Sequence, residues 1–291
     1  MKISGFTFIR NAVKYDYPIV EAIHSIMPLC DEVVVAVGAS EDETYELIKS
    51  IDNKKIRIID TEWNDEMREG GRVLAVETDK AYNAISNDTD WAFYIQGDEV
   101  IHEQYLPIVR RAMEKHIDDE RVDGLLFKYL HFYGSYDYVG TASNWYKHEI
   151  RVLRNNAEFY SYRDAQGFRK GNNEKLQVKS IDAYIYHYGW VKPPEAMQRK
   201  IVNFNKLWHD DEWIGENIEK VALFDYSSNI SELALFKGDH PDVMKQRINN
   251  LNWEFAHDIS FNKRSIKDRA KGLAKSLLGL DFEYKNYKLI D

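Results

Sequence analysis

Apolar positions alternate along the first half of the chain between two periods. ISGFTFI (3–9) and DEVVVAVG (31–38) are near-continuous apolar runs, as expected of strands buried on both faces of a sheet. Between them Asp16 and Pro18 open a segment with Ile19, Ile23 and Met27 at helical spacing, and Pro28 closes it. SEDETYELIKSI (40–51) predicts a second helix: Ser40 and Glu43 have capping-box spacing, and Leu47, Ile48 and Ile51 supply its buried face. IRIIDTEW (56–63) is a third strand, followed by a helix from about Gly71 to Ile85. WAFYIQ (91–96) is a fourth strand. It runs into Gly97, Asp98 and Glu99, and the chain then resumes as a helix carrying Leu106, Val109 and Met113. Four βα units in this order predict an α/β domain with a parallel sheet covered on both faces.

The second half is less regular. GLLFKYLHFYG (124–134), EIRVLRN (149–155) and IDAYIYHYGW (181–190) are expected strands, the last presenting His187 at its end. Pro193 and Pro194 precede a helix with Met197, Ile201, Phe204 and Trp208 on one face. The run 262–280 is basic, with Ile266, Leu273 and Leu277 at helical spacing. Its plain reading is an amphipathic helix docked on the domain; its sharper one is a peripheral membrane contact.

Composition narrows the function classes. At 291 residues, 44% hydrophobic and 30% charged, the chain is long enough for a full core. A net charge of −9 argues against a nucleic-acid binder, which needs a basic face. The lone Cys30 cannot form an intrachain disulfide, the N-terminal run has charges where a signal peptide needs apolar residues, and no window approaches a membrane span. A soluble cytoplasmic protein is expected.

The pair Asp98–Glu99 behind a buried strand leaves four readings open: a solvated turn, a general acid/base pair, a hydrolase pair, or a site for a hard divalent ion. Ligands of open α/β sheets bind beyond the carboxyl ends of the strands. That edge also receives Arg10, Asn11 and the loop from Gly38 to Asp42. The chain contains no GxxxxGK[ST], no GxGxxG after the first strand and no GxSxG.

TFIRNA (7–12), DEVVVAVGASEDET (31–44) and DWAFYIQGDE (90–99) together resemble the family-2 glycosyltransferases of GT-A fold, over about residues 1–195. IYHYGWVKPPE (185–195) looks like a bacterial, cell-surface polysaccharide subgroup. The resemblance implies a Rossmann-like nucleotide-sugar-binding fold with a mostly parallel sheet, residues 1–195 being catalytic and 196–291 an α-rich extension. It implies inverting transfer of a sugar from a nucleotide-diphosphate sugar to a hydroxyl of a glycan or lipid-linked glycan, at the inner face of a membrane. Asp98 would hold Mg²⁺ or Mn²⁺ with His187, and Glu99 the metal's waters or a sugar hydroxyl. Gln96 stands where the family often has its first metal-motif aspartate, beside Gly97. Gly38 stands near the usual nucleoside-binding aspartate, leaving Asp42 and Glu41 in the turn. Arg10 and Asn11 would contact nucleotide, Arg68 or Arg72 the diphosphate, and Trp190 would cover donor or acceptor. The general base is expected after the metal-motif strand, with Asp164 first and Glu149 second, Glu174 being a solvated turn residue. Glu149 is also a candidate partner for Arg151 or Arg154. The rival from another class is a non-catalytic nucleotide- or sugar-binding module of the same fold.

Overall fold

The computed structural model describes residues 1–219, 221–230, 232–261 and 284–291, so the basic run 262–280 lies outside the described residues. In chain order the elements are β1 (Ile3–Ile9), α1 (Ile19–Ile26), β2 (Glu32–Gly38), α2 (Thr44–Lys49), β3 (Ile56–Thr61), α3 (Arg72–Asn83), β4 (Trp91–Tyr94), β5 (Glu99–Ile101), α4 (Leu106–Lys115), β6 (Gly124–Tyr133), β7 (Tyr138–Gly140) and β8 (His148–Arg154). They continue as β9 (Phe159–Tyr162), β10 (Gly167–Lys170), β11 (Glu174–Lys175), β12 (Gln177–Trp190), α5 (Pro194–Asn205), α6 (Asp211–Asn217), β13 (Leu233–Leu235), α7 (Lys245–Asn249) and β14 (Lys288–Leu289). The architecture is the α/β class that the alternation implied.

The central sheet runs β13-β7-β6-β8-β4-β1-β2-β3. Strands β3, β2, β1 and β4 are mutually parallel; β8 enters antiparallel between β4 and β6, and β12 runs parallel to β6. The apolar runs need two covers because their alternate residues face opposite ways. Val33, Val35 and Val37 of β2 join Ile19, Ile23 and Ile26 of α1 and Val109 and Met113 of α4. Val34 and Ala36 join Phe6, Tyr94, Phe168 and, from α3, Ala81 and Tyr82. Each fully buried Val or Ile contributes roughly 1.5–3 kcal/mol, and β2 gains it on both faces.

Three local expectations change. Helix α2 starts at Thr44 with no side-chain cap, because Ser40 is used elsewhere, donating to the Gly38 carbonyl and accepting from Asn11 N–H. The chain after Asp98 does not go directly into a helix: Glu99–Ile101 first pairs with β12 as β5. Helix α5 ends at Asn205, leaving Trp208 beyond it and Phe204 partly in solvent. Among the described residues no helix is long and apolar enough to cross a membrane.

Because β1 lies between β2 and β4, the sheet order reverses there, and the carboxyl ends of β1 and β4 open a crevice. Register supplies the rest: His187 of β12 stands opposite His131 of β6 and Glu99 of β5.

Candidate active site

The crevice is a cleft of about 1620 Å³ lined from the ends of β1, β4 and β12, the loop around Trp145, the loop carrying Asp164, and α5. Arg10, Asn11, Arg68, Gln96, Gly97, Asp98, Asp164, His187 and Trp190 line it. Gly38, Asp42, Arg72, Glu99 and Glu149 do not.

The wall at β1 is built from backbone geometry. Asn11 has φ 55°, the left-handed region that asparagine tolerates better than most residues. Its Oδ1 accepts from Glu41 N–H (2.8 Å), tying β1 to the loop after β2. Asp42 is spent on that loop, accepting from the N–H groups of Lys14 (2.6 Å) and Thr44 (3.1 Å). Gly38 is packed beneath the Trp63 indole, which a Cβ would strike. Arg10 donates to the Ala39 carbonyl (3.0 Å) and pairs with Asp65 (2.5 Å), while Arg68 pairs with Asp211 (2.8 Å). Arg72 is exposed at the start of α3, outside the cleft.

The two acids at the end of β4 have opposite fates. Asp98 faces the cleft, 9% exposed, with Lys200 Nζ 3.2 Å and His187 Nε2 3.7 Å from its Oδ2. Burial alone would raise its pKa, but Lys200 and Lys192 outweigh this and hold it well below the ordinary carboxylate range. Glu99 is turned into the core, fully buried, and chelated by Arg151 through Nη2 (2.7 Å) and Nε (2.8 Å). Tyr129 O–H donates to the same carboxylate at 2.8 Å. The expectation that Glu99 holds metal waters or a sugar hydroxyl is therefore corrected: its lone pairs are committed to a buried ion pair.

His187 has a defined tautomer. His131 Nε2 lies 2.7 Å from the Tyr146 carbonyl, which can only accept, so the proton of neutral His131 is on Nε2. Its Nδ1 then offers a lone pair to His187 Nδ1 at 3.2 Å, and His187 must donate there. Burial lowers both rings, to about 3 for His131 and about 4 for His187, so both are neutral at neutral pH. The Nε2 lone pair of His187 is thereby left directed toward a carboxylate oxygen. A carboxylate and a neutral imidazole are a donor set that suits Mn²⁺ or Mg²⁺, with phosphate oxygens and waters as the other ligands. Among the described residues no cluster of three or more His, Cys, Asp or Glu side chains could hold a metal. Asp98 and His187 thus offer two ligands to such an ion, and the Asp98 oxygen is one that Lys200 also reaches at 3.2 Å.

Asp164 lies in the turn between β9 and β10, flanked by Arg163 (φ 57°) and Ala165 (φ 64°). Each left-handed non-glycine residue costs on the order of 1–2 kcal/mol, so the turn needs outside support. Arg151 Nη1 donates to the Gln166 carbonyl (3.1 Å), Gln166 Nε2 to Glu149 Oε1 (2.8 Å), and Gln96 Nε2 to the Ala165 carbonyl (3.0 Å). Burial raises the Asp164 pKa. Glu149 lies behind this turn, 3% exposed, its pKa pushed up to about 8 by burial. The second base candidate thus lies away from the cleft, and Arg151 pairs with Glu99 instead of with it. Arg154 holds the carbonyls of Val122, His116 and Asp119. Glu174 is an exposed hairpin residue outside the cleft. Trp190 stacks on Tyr133 (5.9 Å) and meets Trp145 edge-on (6.2 Å), giving one wall an aromatic face.

No family model matches the chain, and no curated protein matches it. Solved structures do. The S. aureus TarS structure is 18% identical with a TM-score of 0.41, over 70% of this chain and 39% of that one. TarS 1–349 in complex with UDP is 16% identical with a TM-score of 0.40, over 69% and 64%. Glucosyl-3-phosphoglycerate synthase from Mycobacterium tuberculosis, in complex with Mn²⁺, UDP and phosphoglyceric acid, is 23% identical with a TM-score of 0.29, over 45% and 43%. The chain spans less than two thirds of the length of each.

Sequence reasoning missed four residues here. Lys200 sits on α5 three residues after Met197, a cation on the helix's apolar side, and that placement was its signal. Lys192, fully buried, donates to the Asp16 carbonyl (2.7 Å) over the Tyr17 ring (4.2 Å). His131 and Trp145 were hidden in aromatic stretches, where they look like core.

Proposed function

We propose that the chain is an inverting glycosyltransferase of GT-A type, moving a sugar from a nucleotide-diphosphate sugar to a hydroxyl of a glycan or lipid-linked glycan. The observation that carries this reading is the pairing of Asp98 with the His187 lone pair on the floor of a large cleft at the sheet's switch point. Arg10, Lys14, Arg199 and Lys200 surround that cleft with positive charge suited to a diphosphate.

In this mechanism the acceptor hydroxyl gives its proton to Asp164 as its oxygen attacks the anomeric carbon. The bond to the diphosphate oxygen breaks, and the leaving group takes the electron pair. A raised pKa makes Asp164 a better base. Lys200 and Arg10 compensate the charge that builds on the diphosphate, and Trp190 offers a ring face to a sugar. Mg²⁺ or Mn²⁺ held by Asp98 and His187 would supply Lewis-acid stabilisation of the same charge. Residues 1–195 carry the base and most donor groups; the described part of 196–291 completes the acceptor side and lends the donor Lys200, which reaches back to Asp98. The setting is bacterial surface-polysaccharide assembly, on the cytoplasmic face of a membrane, with the run 262–280 as the peripheral contact.

One observation favours a second reading, a non-catalytic nucleotide- or sugar-binding module: Lys200 already neutralises Asp98 in the place a metal would serve. Thermal shift with UDP, GDP and dTDP, each with and without Mn²⁺, and with free glycans alone, separates the two. The transferase requires nucleotide stabilisation that grows with Mn²⁺ and loses that increment in Asp98→Asn. Stabilisation by free glycans, with no nucleotide response, overturns it in favour of the module.

A further inference from the structure

Gln96 is the position at which the chain departs from an acidic metal motif, and its contacts explain the amide. The side chain sits at the end of β4, two residues before Asp98. Its Nε2 donates to the Ala165 carbonyl at 3.0 Å and toward Tyr94 Oη at 3.3 Å. A backbone carbonyl accepts and never donates, so the nitrogen of the amide must face Ala165. A carboxylate there would set two acceptors against each other. The loop it holds needs holding, since Arg163 (φ 57°) and Ala165 (φ 64°) flank Asp164 in left-handed conformations that no glycine relieves. The other supports, Arg151 on the Gln166 carbonyl and Gln166 on Glu149, reach the loop from the core side. Gln96 is itself a residue of the cleft lining, as is Asp164.

We propose that Gln96 is a positioning residue: its amide anchors the Asp164 loop to the strand end that presents Asp98, so one element sets both the donor-side carboxylate and the base. This rests on the reading of Asp164 as the base, and it reverses the meaning of the departure at position 96. The glutamine is not a weakened metal ligand but the tie between the two halves of the site.

Gln96→Met keeps the length and removes the donor; Gln96→Glu keeps the shape and offers a carboxylate. The first readout needs no substrate. Hydrogen exchange of the segment 160–170 is expected to accelerate at least fivefold in both variants, with circular dichroism unchanged. Exchange at the wild-type rate in Gln96→Met overturns the anchor. The second readout uses UDP-glucose as the probe, following UDP release. In both variants kcat falls at least tenfold while the Kd for UDP stays within twofold. In an Asp164→Asn background Gln96→Met adds less than a further twofold, because both act through one group. Full additivity overturns the coupling, as does Mn²⁺-dependent UDP binding that tightens in Gln96→Glu, which would mark a metal position. Asp164→Asn turning over at the wild-type rate ends the base assignment instead, and the anchor then stands or falls on the exchange rates alone.

Discussion

Replacing Glu149 by glutamine isolates the electrostatics of the wall behind the Asp164 loop. The carboxyl is buried, one oxygen accepts from Gln166 Nε2, and the other, Oε2, has no hydrogen-bond partner among the described residues. Burial pushes its pKa to about 8 from an ordinary 4.5. Between those values the unfolded chain has released this proton while the folded protein keeps it, so the wild type loses stability as pH rises through that window. The slope is at most about 1.4 kcal/mol per pH unit for one group, hence at most about 2.7 kcal/mol between roughly pH 5.5 and 7.5. Glutamine reproduces the neutral acid in shape and does not titrate. Glu149→Gln should match the wild type near pH 5 and exceed it increasingly toward pH 8. At roughly 2–4 °C per kcal/mol for a domain of this size, the gap in Tm reaches several degrees. His131 and His187 titrate identically in both proteins and cancel in the difference. Scanning fluorimetry across the range reads the result. A gap that stays constant with pH, or a wild type that gains on the variant as pH rises, refutes a buried neutral Glu149.

Glu99→Gln strands Arg151 as an unpaired charge with no exposure, which should cost about 3–5 kcal/mol in denaturant titration; an unchanged midpoint contradicts the ion-pair assignment. Asp164→Asn should cut transfer at least about a hundredfold, the usual scale of general-base catalysis, with donor Kd unchanged; surviving transfer with collapsed donor binding moves Asp164 to the donor site. His131→Phe removes the acceptor that fixes the His187 tautomer and should weaken Mn²⁺ binding by about 10–100-fold, whereas His131→Asn, which keeps an acceptor near Nδ1, should retain most of it. Equal titrations for the two variants sink the tautomer argument.

The parallel half of the sheet was legible because local pattern and long-range demand agree there. A strand such as Val33–Val37 is apolar throughout since both faces are covered, and its helices carry the matching stripe. The small sheet of β9, β10 and β11 was not legible. Its β9–β10 turn depends on left-handed conformations at Arg163 and Ala165, neither of them a glycine. Nothing in the local letters asks for that geometry; it is imposed by Arg151, Glu149 and Gln96, which are distant in sequence. The cations were hidden for a related reason. A lysine on an amphipathic helix ordinarily points to water, and only the approach of α5 to Asp98 turns Lys200 inward.

The pair Asp98–Glu99 shows where strand-end reasoning stops. Adjacent acids after a buried strand suggest a shared role, because a sequence gives them the same address. The backbone turns between them, so that the first faces the cleft and the second opens β5 against β12. Glu99 then meets Arg151, 52 residues on, and closes a charge pair that no local pattern signals. The one clue was an arginine at an inward-facing position of an apolar strand, EIRVLRN. A fully buried guanidinium requires a carboxylate partner, and the neighbouring Glu149, on the same face, was the obvious choice. Burial outweighs the pull of nearby Arg151 and keeps its proton on to about pH 8, while Glu99 takes the direct pair with Arg151. Two acids of the same type therefore differ in charge because one received the arginine. That same arginine, through the Gln166 carbonyl, supports the turn on which Asp164 stands.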